Sequence, residues 1–70
     1  MEKENTHWDG DLYIKCVQSY ERVREENLIT NISINAIIYI IEEVYDFYAS
    51  SKNKTIDDDF TKWVIRKQLS

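Results

Sequence analysis

The segment from Ser33 to Ser50 constrains this chain most, because it predicts one helix that is apolar around most of its circumference. With about 100° between successive side chains, the apolar ones span roughly 220°, whereas an ordinary surface helix buries a stripe of about 100° or somewhat more. The arc contains Ala36, Phe47, Ile40, Val44, Ile37, Tyr48, Ile41, Ile34, Tyr45, Ile38 and Ala49. Such a helix needs two buried faces, so we expect it to pack in the core of the chain and also against a partner.

The length of 70 residues allows one domain with a small hydrophobic core. Domains of this size usually gain stability from disulfides, a bound metal or association with another chain. Cys16 is the only cysteine and His7 the only histidine, so an internal disulfide is excluded and the ligands for a closed zinc site are missing. Association with another chain is the remaining route, and it agrees with the wide apolar arc.

The absence of proline, a single glycine and long helical periodicities predict an all-α fold. We expect a flexible acidic tail at residues 1–8 and a single helical domain at 9–70. Two short connections separate three helical patterns, and short connections favour antiparallel neighbours. The predicted fold is therefore a small three-helix bundle that dimerises through its central helix.

Local signals place the ends of these helices. Helix 1 is predicted from Gly10 to Leu28, with Asp9 as its N-cap. Helix 2 is predicted to begin after Asn31 or Ser33 and to end near Ser50. Helix 3 is predicted to start at a capping box that opens with Thr55, followed by three aspartates that favour the positive end of the helix dipole.

The faces of helices 2 and 3 predict which side chains a partner contacts. On helix 3 we expect Ile56, Phe60, Trp63 and Val64 to point inward. One margin of helix 2 serves the core and the other an interface, and the sequence leaves open which. We assign the margin beside the solvated Glu43 to the interface. On helix 3, Ile65 and Leu69 point away from the inward stripe, toward solvent or a partner. The predicted interface set is Ile40, Val44, Phe47, Ala36, Glu43, Ile65 and Leu69. In an alternative architecture, helices 1 and 3 cover both margins and a different protein takes the remaining face.

Residues that carry chemistry are sparse, and each has a structural interpretation. The run Asp57 to Asp59 lacks the spacing and the glycine of a calcium loop, so capping explains it better. Glu42, Glu43 and Asp46 fit a solvated helix face or the rim of a binding surface. Cys16 lies on the apolar side of helix 1, as a buried structural thiol does. We therefore expect no enzyme activity, cofactor or metal.

The formal net charge of −4 argues against a general phosphate-binding surface. The polar start of the chain and its short apolar runs favour a cytoplasmic protein without a membrane span. Abundant Ile, Asn, Lys and Tyr are typical of AT-rich genomes, including those of phages and other mobile elements.

These observations predict a small protein-binding regulator or inhibitor encoded by a phage or mobile element. It would act as a homodimer or on a host protein through the apolar face of helix 2. The alternative is a nucleic-acid-associated regulator, either a dimeric DNA binder resembling a helix-turn-helix protein or an acidic DNA mimic.

Overall fold

A computed structural model describes residues 9–53 and 55–70 and confirms the all-α three-helix bundle. The helices are α1 (Gly10–Glu26), α2 (Ile34–Ala49) and α3 (Asp58–Leu69), and each packs against both others. Among the described residues, no helix combines the length and apolarity needed to cross a bilayer. The tail predicted for residues 1–8 lies outside the described part of the chain.

The first helix begins where the sequence predicts, and the second begins after Ser33, one of the two caps predicted for it. The Asp9 carboxylate accepts a hydrogen bond from the Leu12 N–H (3.1 Å), and the Ser33 hydroxyl accepts one from the Ala36 N–H (3.2 Å). The Asp9 N–H in turn donates to the Tyr45 hydroxyl (2.7 Å). This bond ties the start of α1 to the end of α2, so the two helices are antiparallel.

Helix α1 ends at Glu26, two residues before the predicted end. Leu28 has a φ of 54°, in the left-handed region that terminates helices. The Leu28 N–H donates to the Glu25 carbonyl (3.3 Å) and the Ile29 N–H to the Arg24 carbonyl (3.0 Å), the two bonds of a Schellman motif. A left-handed residue at this position is usually glycine, and a leucine there gives no such signal in the sequence.

Helix α3 begins later than predicted. Its N-cap is Asp57, whose carboxylate accepts from the Asp59 N–H (2.9 Å), so the predicted capping box at Thr55 is wrong. The Asp57 N–H donates to the Tyr48 hydroxyl (2.9 Å) of α2. This long-range bond fixes the chain at Asp57, and the helix starts directly after it.

The core contains the buried apolar side chains of all three helices. They are Leu12, Cys16, Tyr20 and Val23 of α1, Ile40, Ile41, Val44 and Tyr48 of α2, and Val64 and Ile65 of α3. Fully enclosing such aliphatic side chains stabilises a fold by roughly 1.5–3 kcal/mol each. The core lies between the three helices, so α2 contributes only one side of its wide apolar arc to it.

Four polar side chains join α1 to α3, and we call them the α1–α3 polar pin. Ser19 Oγ donates to Asp58 Oδ1 (2.6 Å) and lies 2.8 Å from Thr61 Oγ1. Arg22 donates from Nη2 to Asp58 Oδ1 (2.9 Å) and from Nε to Oδ2 (3.0 Å). Ser19 and Thr61 are fully buried, and their hydrogen bonds satisfy hydroxyl groups that would otherwise be costly in a core.

Replacing Asp58 is expected to destabilise the fold. Asp58→Ala should lower the free energy of unfolding by about 1–2 kcal/mol, because it removes the acceptor of Ser19 and Arg22. Urea denaturation monitored by circular dichroism measures the change. The matched control is Asp59→Ala, since Asp59 is exposed in the same first turn and loses only a dipole interaction below about 1 kcal/mol. Equal losses in the two variants would contradict a role for the polar pin.

The polar pin also predicts a dependence of stability on pH. Hydrogen bonds from Arg22 hold the pKa of Asp58 below its ordinary value of 3.8, and the bond from Ser19 acts in the same direction. The folded state therefore binds the Asp58 proton less readily than the unfolded chain does. The stabilisation that Asp58 contributes is complete above the pKa that this residue has in the unfolded chain. It is lost as the pH falls through the lower pKa that Asp58 has in the folded protein.

Unfolding curves of the wild type and Asp58→Asn, recorded stepwise from about pH 6 to about pH 2, measure this contribution. The stability difference between the two proteins should be constant near the upper end and shrink below about pH 4. A difference that stays unchanged throughout the range would assign the stabilisation to packing and not to charge.

Candidate functional site

Three of the seven residues predicted for a partner interface lie in the core. Ile40 and Ile65 are fully buried, and Val44 is 1% exposed. A side chain enclosed by its own chain offers no surface to a second one, so this finding corrects their assignment to an interface. Of the other four, Ala36 and Glu43 are half-buried, and Phe47 and Leu69 are about half exposed. Their contact with a partner stays a prediction.

Helix α3 is rotated relative to the predicted orientation. Trp63, expected to point inward, is 55% exposed, whereas Ile65, expected to point outward, is fully buried. The buried positions of α3 are Thr61, Val64 and Ile65. A hydrophobicity pattern misses this face because one of its members is a polar threonine that pairs with Ser19.

Aromatic side chains of α2 and α3 form a continuous surface where these helices meet. Phe47 stacks on Phe60 with ring centroids 4.4 Å apart, and Phe60 lies 5.9 Å from Trp63. Tyr48 contacts both phenylalanines edge-on from the buried side, at 5.0 and 5.7 Å. Phe47 is 51% exposed. We call Phe47, Phe60 and Trp63 the aromatic face; its rings are held in place by one another and by the core.

An ion pair joins α2 and α3 beside the aromatic face. Lys67 Nζ donates to a carboxylate oxygen of Glu43 across the two helices, and Gln68 Nε2 lies 3.4 Å from the other oxygen. Lys67 Nζ also lies 4.5 Å from the Trp63 ring centroid, within range of a cation–π interaction. Glu43, expected to be solvated, is thus engaged with α3, and Lys67 restrains the exposed indole.

A second apolar patch lies on the other margin of α2. Ile34 is 69% exposed and Ile38 is 47% exposed. These residues share the apolar arc with Phe47, so α2 has more apolar perimeter than α1 and α3 cover. The patch is aliphatic and lacks the ring stacking that restrains the aromatic face.

The residues with reactive side chains have structural surroundings. Cys16 is fully buried, and burial raises the pKa of its thiol from 9.0 to about 11, so the thiolate that would act as a nucleophile is scarce. Asp57 caps α3 and Asp58 belongs to the polar pin. Within residues 9–53 and 55–70, no group of three His, Cys, Asp or Glu side chains has the geometry of a metal site.

No protein-family model, curated protein sequence or solved structure matches this chain.

Truncating the aromatic face should cost much less stability than truncating the core. We expect Phe47→Ala to lower the free energy of unfolding by about 1 kcal/mol, since the ring is half exposed and mainly loses its stacking on Phe60. Ile40→Ala should cost about 2–5 kcal/mol because it opens a cavity in a closed core. Urea denaturation distinguishes the two. A larger loss for Phe47→Ala would show that this ring serves stability more than recognition.

Proposed function

We propose that this chain is a small protein-binding regulator that contacts its partner through the aromatic face. The observation that carries the proposal is that Phe47 and Trp63 are each more than half exposed and yet are held by ring contacts through Phe60. Exposed tryptophan and other aromatic residues are enriched at binding hot spots. Rings restrained before binding lose little conformational freedom on association, which favours affinity.

The charges of the two helices support a second copy of the chain as one partner. Exposed acids, Glu42 and Asp46, lie on α2, and exposed bases, Arg66 and Lys67, lie on α3. A twofold axis through the aromatic face would place α2 of one copy over α3 of the other. This arrangement would bring the exposed acids of α2 towards the exposed bases of α3 in the other copy, as a self-complementary twofold interface requires. A host protein on the same face is the other form of the proposal, as expected for a regulator from a phage or mobile element.

Multi-angle light scattering over a micromolar concentration series tests self-association. We expect the mass to rise from 8.4 kDa towards twice that value, and Phe47→Glu and Trp63→Glu to keep it at 8.4 kDa. Gln18→Glu is the matched control, because it adds the same charge at an exposed position of α1. Circular dichroism checks that each variant is folded. A wild-type mass of 8.4 kDa at all concentrations would reject the homodimer.

Site-specific photo-crosslinking tests the host-protein form. A photoreactive residue at position 47 or 63, in cells that produce the chain, should join the same protein from both positions. The same residue at position 18 should not. A chain that neither self-associates nor crosslinks preferentially from the aromatic face would refute the proposed function.

A DNA-binding role receives less support from the geometry. Helix α3 begins at Asp57, and the exposed Asp59 follows in its first turn. Carboxylates at this end of a helix repel phosphates, and recognition helices usually approach the duplex with their N-terminal residues.

A further inference from the structure

The loop that follows α1 projects an apolar side chain into solvent. Leu28 is 86% exposed, the highest value among the large apolar residues that the structure describes. Its φ of 54° is one that glycine adopts at the end of a helix without the steric cost that a leucine Cβ incurs. Exposure and backbone strain both oppose folding, so packing within one chain gives no reason for a leucine at this position.

An open groove lies beside Leu28 at the same end of the bundle. Its volume is about 360 Å³, and it is lined by Asn27 and Ile29, the two neighbours of Leu28 in the sequence. Arg66 and Leu69 of α3 line it as well. Because consecutive Cα atoms are about 3.8 Å apart, Leu28 lies at the rim of this groove. One surface therefore carries both a protruding aliphatic side chain and a recess lined by aliphatic side chains.

Two opposite charges at this end of the bundle are not paired within the chain. Glu25 is exposed in the last turn of α1, where the negative end of the helix dipole disfavours an acid, and its carbonyl accepts from the Leu28 N–H (3.3 Å). Arg66 is exposed in the last turn of α3 and lines the groove. Neither forms an ion pair within the described ranges, unlike Arg22 and Lys67. An acid beside the protruding side chain and a base beside the recess favour contact between two copies of this surface.

We propose that the end of the bundle formed by the carboxyl-terminal ends of α1 and α3 binds a second copy of the chain about a twofold axis. Leu28 of each copy enters the groove of the other and contacts Ile29 and Leu69, while Glu25 of each copy pairs with Arg66 of the other. A twofold contact needs a surface that is complementary to itself, and a side chain beside a matching recess meets this need. The surface is small, so the association is weak and depends on concentration.

The Phe47→Glu variant isolates this contact, because it removes the pairing proposed for the aromatic face. We expect its ¹⁵N NMR spectrum to change between micromolar and millimolar concentration, at the loop after α1 and in the last turn of α3. In a mixture of isotope-labelled and unlabelled protein, filtered NOE spectra should join the Leu28 methyl groups of one copy to Ile29 and Leu69 of the other. A spectrum independent of concentration, or contacts between copies at other residues only, overturns the proposal whatever the result at the aromatic face.

A substitution of Leu28 in the same background separates binding from folding. Leu28→Gly should abolish the association and raise the thermal midpoint, because glycine adopts the left-handed conformation without strain. Ile14→Ala is the matched control, since Ile14 is an aliphatic residue that is 55% exposed on α1 and its truncation should leave the association unchanged. A fall in the midpoint of Leu28→Gly, or association that survives the substitution, contradicts the role proposed for Leu28.

Charge reversal tests the ion pair between copies. Glu25→Arg and Arg66→Glu should each weaken the association about tenfold, because like charges then face each other. The double variant should restore it, since each copy again offers one acid and one base. The two residues are not paired within one copy, so recovery in the double variant identifies a contact between copies. Association that stays weak in a double variant of unchanged helicity overturns this pairing.

Discussion

The hydrogen bonds between Ser19, Thr61, Asp58 and Arg22 determine how α3 lies on the rest of the protein. The two fully buried hydroxyl groups of Ser19 and Thr61 satisfy each other by facing across the two helices, and this contact favours the observed rotation of α3 about its axis. Val64 and Ile65 then enter the core, while Phe60 and Trp63 turn towards the edge of α2. The exposed indole, and with it the aromatic face, is a consequence of a polar contact made on the opposite side of the helix.

Helix α2 explains why two apolar surfaces are left uncovered. Its apolar side chains extend around more of the circumference than two neighbouring helices can contact. The surplus divides between the α3 side, where Phe47 joins the stacked rings, and the other margin of α2, where Ile34 and Ile38 are exposed. The two surfaces differ in their contacts, because ring stacking, the Glu43–Lys67 pair and the position of Lys67 over Trp63 hold the first in place. That difference is why we place recognition of a protein partner at the aromatic face.

The hydroxyl groups of the two buried tyrosines of the core differ in their hydrogen bonding. The Tyr48 hydroxyl holds Asp57 and so helps to decide where α3 begins. The Tyr20 hydroxyl binds nothing in the described structure, although it occupies an equally buried position. A fold tolerates an unpaired donor at some cost in stability.

Local chemistry along the chain was enough to predict three helices, the cap at Asp9 and the burial of Cys16, and it narrowed the cap of helix 2 to Asn31 or Ser33. Each of these features depends on residues close in sequence or on one helical face. The aromatic face was predicted only in part, through Phe47. The start of α3, the outward position of Trp63 and the burial of Ile40, Val44 and Ile65 arose from contacts between helices. The hydrogen bond between Ser19 and Asp58 joins residues 39 positions apart. A hydrophobicity pattern assigns serine and threonine to the surface, so it does not predict the burial of Ser19 and Thr61. Side-chain periodicity reveals that a helix has an apolar side, but its final rotation depends on which polar groups find partners when the helices meet.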